Sequence, residues 1–179
     1  MSTSVGGCIN PPFWFVFDVE SIGLHGEGFS VGVVVIDSDG YEPEAVRYSC
    51  PPSEAKGDDD GRLWVAKNCP IVAMPTHPNP EALRDAFWHF WGHWKGHGAI
   101  MAADCPWPVE ARFLAACVDQ EPDRAWRGPY PLIDVASVLV ACGIDPMQEF
   151  PRIAGETPIH DALADARQSA RLLTEALKK

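Results

Sequence analysis

The chain has 179 residues, enough for one sizeable core but too few for two ordinary domains. Hydrophobic residues make up 46% of it and charged residues 22%, the balance of a folded globular protein rather than a disordered or fibrous one. The 14 Lys and Arg against 25 Asp and Glu give a net charge of -11, which excludes the broad basic surface of a protein that grips a long duplex. We expect a single domain over residues 1–179, with an N-terminal tail over residues 1–12.

The sequence carries no sign of a membrane or export segment. No apolar run approaches the roughly 20 residues of a membrane helix, and Met1 to Asn10 lacks the basic start and apolar core of a signal peptide. The cysteines are dispersed without any C-x-x-C pair, which is typical of reduced thiols. We therefore expect a cytoplasmic protein with no membrane contact.

The first predicted elements are two buried strands. Residues 13–17 (FWFVF) form a continuous apolar run, and the acidic Asp18 and Glu20 follow at once. Residues 29–36 (FSVGVVVI) form a second run, closed by an Asp-Gly pair that favours a tight reversal. These runs predict neighbouring strands, the first of which ends in carboxylates.

A loop-rich insert is predicted over residues 41–80. It contains several prolines and the acidic run Asp58-Asp59-Asp60-Gly61, which breaks the pattern of any long element. We interpret the acidic run as part of a solvated loop.

Helices and strands alternate over the rest of the chain. The pattern predicts a helix from Pro80 to near Gly96 and Gly98, then a strand over Ala99–Ala103 and a helix over Val109–Val118. It then predicts a strand over Pro131–Val135, a helix over Ala136–Cys142 and a final helix after Pro158. An initial hairpin followed by this alternation predicts an α/β fold with a mixed sheet flanked by helices.

Acidic residues follow several of these elements. Asp18 and Glu20 are two apart, so on a strand they point to the same side. Asp104 ends a second predicted strand, and Asp165 lies in the first turns of the final helix. Carboxylates that converge from different elements are what a site for two divalent cations needs to hydrolyse a phosphodiester.

A histidine stands next to this set. Asp161 is a suitable N-cap for the final helix, which leaves His160 just outside it. A neutral imidazole there could take a proton from an attacking water.

Two motifs at opposite ends of the chain resemble a known family. The run F-D-V-E-S-I-G-L, from Phe17 to Leu24, and the run H-D-A-L-A-D-A, from His160 to Ala166, look like the first and third motifs of the DEDDh class of 3′-5′ exonucleases. Within that class, the sequence looks most like the small bacterial and phage exoribonuclease branch. The resemblance implies an RNase H-like fold.

The resemblance also implies roles for individual residues. Asp18, Glu20, Asp104 and Asp165 would hold two Mg²⁺ or Mn²⁺ ions, and His160 would act as the general base. The terminal nucleotide would be received by three more residues, Ser21, Gly23 and Leu24.

The middle motif departs from the form that the family usually has. The Asn and aromatic residue expected shortly before the acid are missing before Asp104, where the sequence reads M-A-A-D-C-P-W. Glu110, on the helix that follows, is the competing fourth acid, because it could approach the same pocket.

By this resemblance we expect a metal-dependent exoribonuclease. It would hydrolyse single-stranded RNA from the 3′ end, or short oligoribonucleotides, to nucleoside 5′-monophosphates, and it would form a homodimer. One alternative is a DNA exonuclease for proofreading or end trimming. The other is a non-catalytic module that binds nucleic acid.

A second candidate metal site lies in the helix that follows Pro80. His89, His93 and His97 are four residues apart, which would align them on one helix face. Gly92 and Gly96 weaken that helix and no carboxylate or thiol completes the set nearby, so we do not expect a metal site there.

Overall fold

The computed structural model describes residues 11–70 and 74–178, so most of the expected tail and residues 71–73 of the expected insert lie outside the described residues. The elements follow the chain in this order: β1 (Phe13–Ser21), β2 (Gly28–Asp37), β3 (Glu44–Ser49), α1 (Asp59–Asn68), α2 (Pro80–Gly96), β4 (Ile100–Ala103), α3 (Val109–Gln120), β5 (Leu132–Asp134), α4 (Val135–Ala141) and α5 (Ala162–Leu177). Two short 3₁₀ helices, Pro52–Glu54 and Pro122–Arg127, lie in the connections.

The strands form one mixed sheet of 5 strands in the order β3-β2-β1-β4-β5. The first three strands are antiparallel neighbours, whereas β4 and β5 run parallel to β1. The α/β fold with a mixed sheet that the sequence predicts is therefore confirmed. No helix within the described ranges is both long and apolar enough to cross a bilayer.

The register between β1 and β4 sets where their carboxyl ends lie. Trp14 pairs with Ile100 and Val16 pairs with Ala102, so the two strands run side by side in the same direction. Continuing that register by two residues brings the Asp18 position level with Asp104 at one edge of the sheet.

The two faces of the sheet pack against different helices. Phe15 points to the face covered by α2 and α3, where aromatic side chains dominate the core. Val16 points to the other face, where small residues of α5 and the side chains of α4 pack. Because side chains alternate along a strand, Asp18 and Glu20 also belong to this second face. The acidic end of β1 therefore emerges beside α5.

A glycine allows α5 to approach the sheet closely. Gly32 on β2 lies directly opposite Asp18 on β1. A Cβ atom at Gly32 would lie 2.2 Å from the Leu163 nitrogen and 2.3 Å from the Ala162 carbonyl carbon. The first turn of α5 thus rests on the sheet backbone, and this contact brings the helix start to Asp18.

The segment over residues 41–80 is more regular than the sequence predicts. It contains the edge strand β3, which pairs with β2, and the helix α1. The acidic run is not part of a loop, because Asp58 caps α1 by accepting from the Gly61 N–H at 2.7 Å, and Asp59 and Asp60 form its first turn. Acidic residues at a helix start are favoured by the orphan N–H groups and the helix dipole, which explains this correction.

Candidate active site

The first part of the site is the end of β1. Glu20 is only 8% exposed, whereas the Asp18 residue is half-buried. Their neighbour Val19 donates its backbone N–H to Oε1 of Glu110 at 3.3 Å. The strand end therefore brings two carboxylates together with a third acid from α3.

The second part is the start of α5. Asp161 caps the helix, because its carboxylate accepts from the N–H groups of Leu163 and Ala164 at 3.1 and 3.2 Å. This confirms the predicted cap and leaves His160 outside the helix. The Asp161 carboxylate also forms an ion pair with Arg47 of β3, which ties the helix start to the sheet.

His160 is held in an unusual backbone conformation. Its φ is 58°, in the left-handed region that residues other than glycine seldom adopt. Its backbone N–H donates to Oδ2 of Asp165 at 3.0 Å, and its ring meets the ring of Trp64 edge-on at 4.8 Å between centroids. The histidine is thus held by two contacts, one with Asp165 on α5 and one with Trp64 on α1.

The two parts meet at one point. One ligand atom each from Glu20, His160 and Asp165 lies within 4.8 Å of the other two. Within residues 11–70 and 74–178, this is the only group of three or more His, Cys, Asp or Glu side chains with such spacing. Oxygen and imidazole ligands in this arrangement suit a divalent cation.

Glu110 is a buried acid that contacts the end of β1. It is on the first turn of α3, only 6% exposed, and accepts from the backbone of β1. Burial raises its pKa to about 7, despite the hydrogen bonds it accepts, and the charges of Asp104 and Glu20 add to the increase.

Asp104 lies nearer the rim. The residue is exposed, and it follows β4 as predicted. Burial of part of its carboxyl group and the charge of Asp134 raise its pKa. Asp134 itself caps α4 by accepting from the Ala136 N–H at 3.0 Å.

The remaining acids also resist ionisation. Burial, followed by the negative charge of Glu110, raises the pKa of the Asp18 carboxyl well above its usual range. Burial and the charge of Asp165 raise the pKa of Glu20 to about 7. Burial likewise raises the pKa of Asp165, although Arg152 acts in the opposite direction. Clustered acids that repel one another in this way are stabilised by bound cations.

Three side chains at the site belong to no sequence motif and were not predicted. Arg152 donates to Oδ1 of Asp165, and it also donates to the Glu156 carbonyl at 2.6 Å. The thiol of Cys69 donates to Oε2 of Glu20 at 3.6 Å, and Trp64 packs on His160. The contacts of Cys69 and Trp64 join segments distant in sequence, and Arg152 reaches Asp165 from an irregular connection, so neither spacing nor periodicity indicates them.

The residues expected to meet a terminal nucleotide lie on the turn after β1. The Ser21 hydroxyl donates to the Gly23 carbonyl at 2.7 Å, and Gly23 has a φ of 69°. Leu24 follows with 64% of its surface exposed. The turn that follows the acidic end of β1 thus presents an exposed apolar side chain.

The histidines of α2 form no comparable cluster. The Nδ1 atoms of His89 and His97 are each within hydrogen-bond distance of a carbonyl four residues earlier, at 2.7 and 2.9 Å. In the part of the chain that the structure describes, these rings do not join a group of three closely spaced metal-ligating side chains.

No protein-family model matches the sequence, and no curated protein sequence matches it significantly. Solved structures do match it. A complex of E. coli exonuclease I with single-stranded DNA and zinc has a TM-score of 0.64 at 15% identity, covering 90% of this chain and 39% of that one. The same enzyme with a dA16 oligonucleotide has a TM-score of 0.63 at 16% identity, covering 89% of this chain and 39% of that one.

A third match is exonuclease I from Methylocaldum szegediense, with a TM-score of 0.59 at 17% identity, covering 93% of this chain and 41% of that one. The chain therefore spans less than half the length of these enzymes. The similarity extends over nearly all of the present chain, and it confirms the RNase H-like α/β fold that the sequence predicts.

Proposed function

We propose that the chain is a divalent-metal-dependent 3′-5′ exonuclease domain for single-stranded nucleic acid, releasing nucleoside 5′-monophosphates. The observation that carries this proposal is the convergence of Glu20, His160 and Asp165 within 4.8 Å, beside Asp18 and Glu110. The proposal is also supported by the fold that the chain shares with exonuclease I. Two of the matching exonuclease I structures are complexes, one with single-stranded DNA and one with a dA16 oligonucleotide.

The donor set fits hard divalent cations. Carboxylate oxygens are the preferred ligands of Mg²⁺ and Mn²⁺. Burial and the charge of Asp165 raise the pKa of Glu20, and a bound cation would offset both effects. Two bound cations would activate a water and stabilise the leaving oxygen of a phosphodiester. Asp18, Glu20 and Asp165 would hold them.

We propose Glu110 rather than Asp104 as the fourth ligand. Glu110 is buried against β1, and of the neighbouring charges it contributes most to the raised pKa of Asp18. Asp104 is exposed, and the acid that most affects its pKa is Asp134. Asp104 would then act at the rim of the site.

His160 is proposed as the general base. Its ring lies among the same ligand atoms, while the Trp64 ring and the bond from its own N–H to Asp165 limit its movement. A neutral imidazole so placed accepts a proton from the attacking water.

The substrate end is proposed to lie on the turn after β1. Ser21 and Gly23 keep this turn in shape by their hydrogen bond, and their backbone would receive the terminal ribose. The exposed Leu24 side chain would lie against the last base.

RNA is the proposed substrate, in line with the resemblance to the small exoribonuclease branch. A terminal 2′-OH offers a donor and an acceptor that DNA lacks. A second candidate is a DNA exonuclease, which is favoured by the DNA oligonucleotides in the exonuclease I complexes. A homodimer is also proposed, with light scattering as its test.

The test is degradation of matched RNA and DNA oligomers, labelled at either end, with Mg²⁺, with Mn²⁺ and with a chelator. We expect stepwise shortening from the 3′ end, abolished by the chelator and by Asp18→Asn. A preference of about tenfold to a hundredfold for the RNA end is expected if the site bonds the 2′-OH. A faster DNA reaction would favour the second candidate. Binding without any cleavage would leave only the non-catalytic module.

A further inference from the structure

Most cationic side chains in the described ranges are held by oxygen atoms of the protein. They include both basic residues at the site, since Arg47 pairs with Asp161 and Arg152 with Asp165. The described Lys and Arg side chains that donate to no protein oxygen are Lys56, Lys67, Arg112 and Arg127. In a chain of net charge -11, cations without an acidic partner are available for an external anion.

Two of these unpartnered cations meet in one cleft. Lys56 and Arg112 line a cleft of about 490 Å³ between the turn after β1 and the outer face of α3, together with His25. Arg84 also lines it, with only 12% of its side chain exposed. Its Nε donates to Gln120 at 2.8 Å, so this guanidinium is fixed in place.

The acids of the cleft do not cancel these charges. Glu27 is engaged by the Lys56 backbone N–H at 2.8 Å and by Arg84 at 3.4 Å. Asp119 is the other acid in the lining. Three permanent cations therefore face two carboxylates, a local positive excess on an acidic protein.

The shape of the cleft suits a sugar-phosphate backbone rather than a base. Much of the remaining lining is glycine and alanine, namely Gly26, Gly57, Ala115 and Ala116. Phe113 also lines the cleft, but this residue is only 4% exposed because it packs in the core. The exposed imidazole of His25 is small, so contacts to phosphates would dominate and would give little preference for sequence.

The cleft is lined by residues that are close in sequence to those of the candidate active site. His25 follows Leu24 in the same turn, and Arg112 is two residues after Glu110 on α3. A strand whose terminal base lies against Leu24 therefore has the cleft directly beyond that turn.

We propose that this cleft binds the phosphates of single-stranded nucleic acid on the 5′ side of the nucleotide being removed, through Lys56, Arg112 and His25. This inference rests on the proposed exonuclease function, because it deepens that function by assigning a path for the substrate. It makes the enzyme sensitive to substrate length and independent of sequence at these positions.

The test compares binding and cleavage for substrates of different length. In an Asp18→Asn background, Lys56→Ala combined with Arg112→Ala should weaken binding of a single-stranded oligomer of about 12 nucleotides by about tenfold, measured by fluorescence anisotropy. The slope of log affinity against log salt should become shallower by about 1.4, because two phosphate contacts are lost. With Asp18 intact, kcat/KM should fall for the oligomer and stay unchanged for a dinucleotide.

Arg127→Ala is the matched control for Arg112→Ala. Both arginines are exposed and unpartnered, and the charge lost is the same, but Arg127 does not line the cleft. We expect Arg127→Ala to leave affinity and salt dependence unchanged, and all the variants to unfold at the wild-type temperature.

Three results would overturn the proposal: unchanged oligomer binding in the double variant, equal losses for Arg112→Ala and Arg127→Ala, or an equal loss of kcat/KM on the dinucleotide. Because the binding measurement uses a variant expected to be inactive, it decides this inference independently of cleavage. A protein that binds the oligomer through the cleft yet cleaves nothing would refute the exonuclease proposal alone.

Discussion

Arg152 donates a hydrogen bond to Oδ1 of Asp165, one of the acids proposed to hold a divalent cation. The other oxygen of Asp165 accepts from the His160 backbone, so protein donors satisfy both carboxylate oxygens. Arg152 thereby supplies positive charge to one of the acids of the site. A guanidinium in this position competes with a metal ion for the same oxygen.

Replacing Arg152 should therefore lower the stability of the metal-free protein and increase its affinity for the metal. Arg152→Gln removes the cation, so the metal-free protein should unfold at a temperature lower by several degrees, whereas less Mg²⁺ should be needed to stabilise it. Thermal unfolding across a Mg²⁺ titration measures both quantities. Arg152→Lys keeps the charge, so its metal-free melting temperature and its Mg²⁺ requirement should lie between those of the wild type and of Arg152→Gln. A higher Mg²⁺ requirement in Arg152→Gln would mean that Arg152 assists metal binding instead.

The fourth acid can be identified by a pair of neutral substitutions. Glu110→Gln keeps the shape of the side chain but removes a buried ligand, so we expect loss of nearly all activity and weaker Mg²⁺ binding. Asp104→Asn changes an exposed residue, so we expect a loss of less than about tenfold. Steady-state cleavage and isothermal titration with Mg²⁺ measure the two effects. The opposite ranking would restore Asp104 as the ligand.

His160→Ala should remove the proton acceptor while leaving the acids in place. A general base contributes about 10² to 10⁴ in rate, so cleavage at saturating Mg²⁺ should fall by that factor. A decrease below about fivefold would indicate that the histidine has only a structural role.

The raised pKa values of Glu20 and Glu110 predict how stability changes with pH. Both values lie near 7 in the folded protein, above the ordinary value of 4.5. Between these values the folded state binds more protons than the unfolded state, so the free energy of unfolding decreases as pH rises. This stabilising contribution is complete below the ordinary pKa and is lost as pH rises through the folded-state pKa.

Thermal unfolding in a chelator between about pH 5 and about pH 8 tests this dependence. The melting temperature should decrease over that interval, and Glu20→Gln or Glu110→Gln should flatten the decrease. Saturating Mg²⁺ should also flatten it, because metal ions replace protons as the compensating charge. A melting temperature that increases over the interval in the chelator would contradict the pKa shifts.

The strongest sequence patterns predicted the central strands and the long helices well. The predicted start of α2 at Pro80 and its predicted end near Gly96 and Gly98 agree with the observed helix, because an N-terminal proline and apolar residues at helical spacing mark it clearly. The edge strand β3 was missed because its residues are mostly exposed or half-buried and do not form an apolar run. The helix α1 was missed because most of its residues are exposed and prolines surround it.

At the site too, residues in local sequence motifs were predicted, whereas residues that depend on tertiary contacts were not. The D-x-E and H-x-x-x-x-D spacings placed Glu20, His160 and Asp165 in local sequence, and the fold brings them together. Glu110 could be identified only as a competitor, because its burial depends on how α3 packs against β1. Arg152 was not anticipated, since its bond to Asp165 depends on the path of an irregular connection.

The contact of Gly32 with the first turn of α5 determines which parts of this molecule are free to vary. One half of the site belongs to β1 and the other to α5, and their separation is set by main chain resting on main chain. Side chains elsewhere in the core could change size and repack without moving one half relative to the other. Any side chain at Gly32, even a methyl group, would instead act as a spacer between the halves. Conservation of this reaction would thus constrain a residue that has no side chain and takes no part in the chemistry.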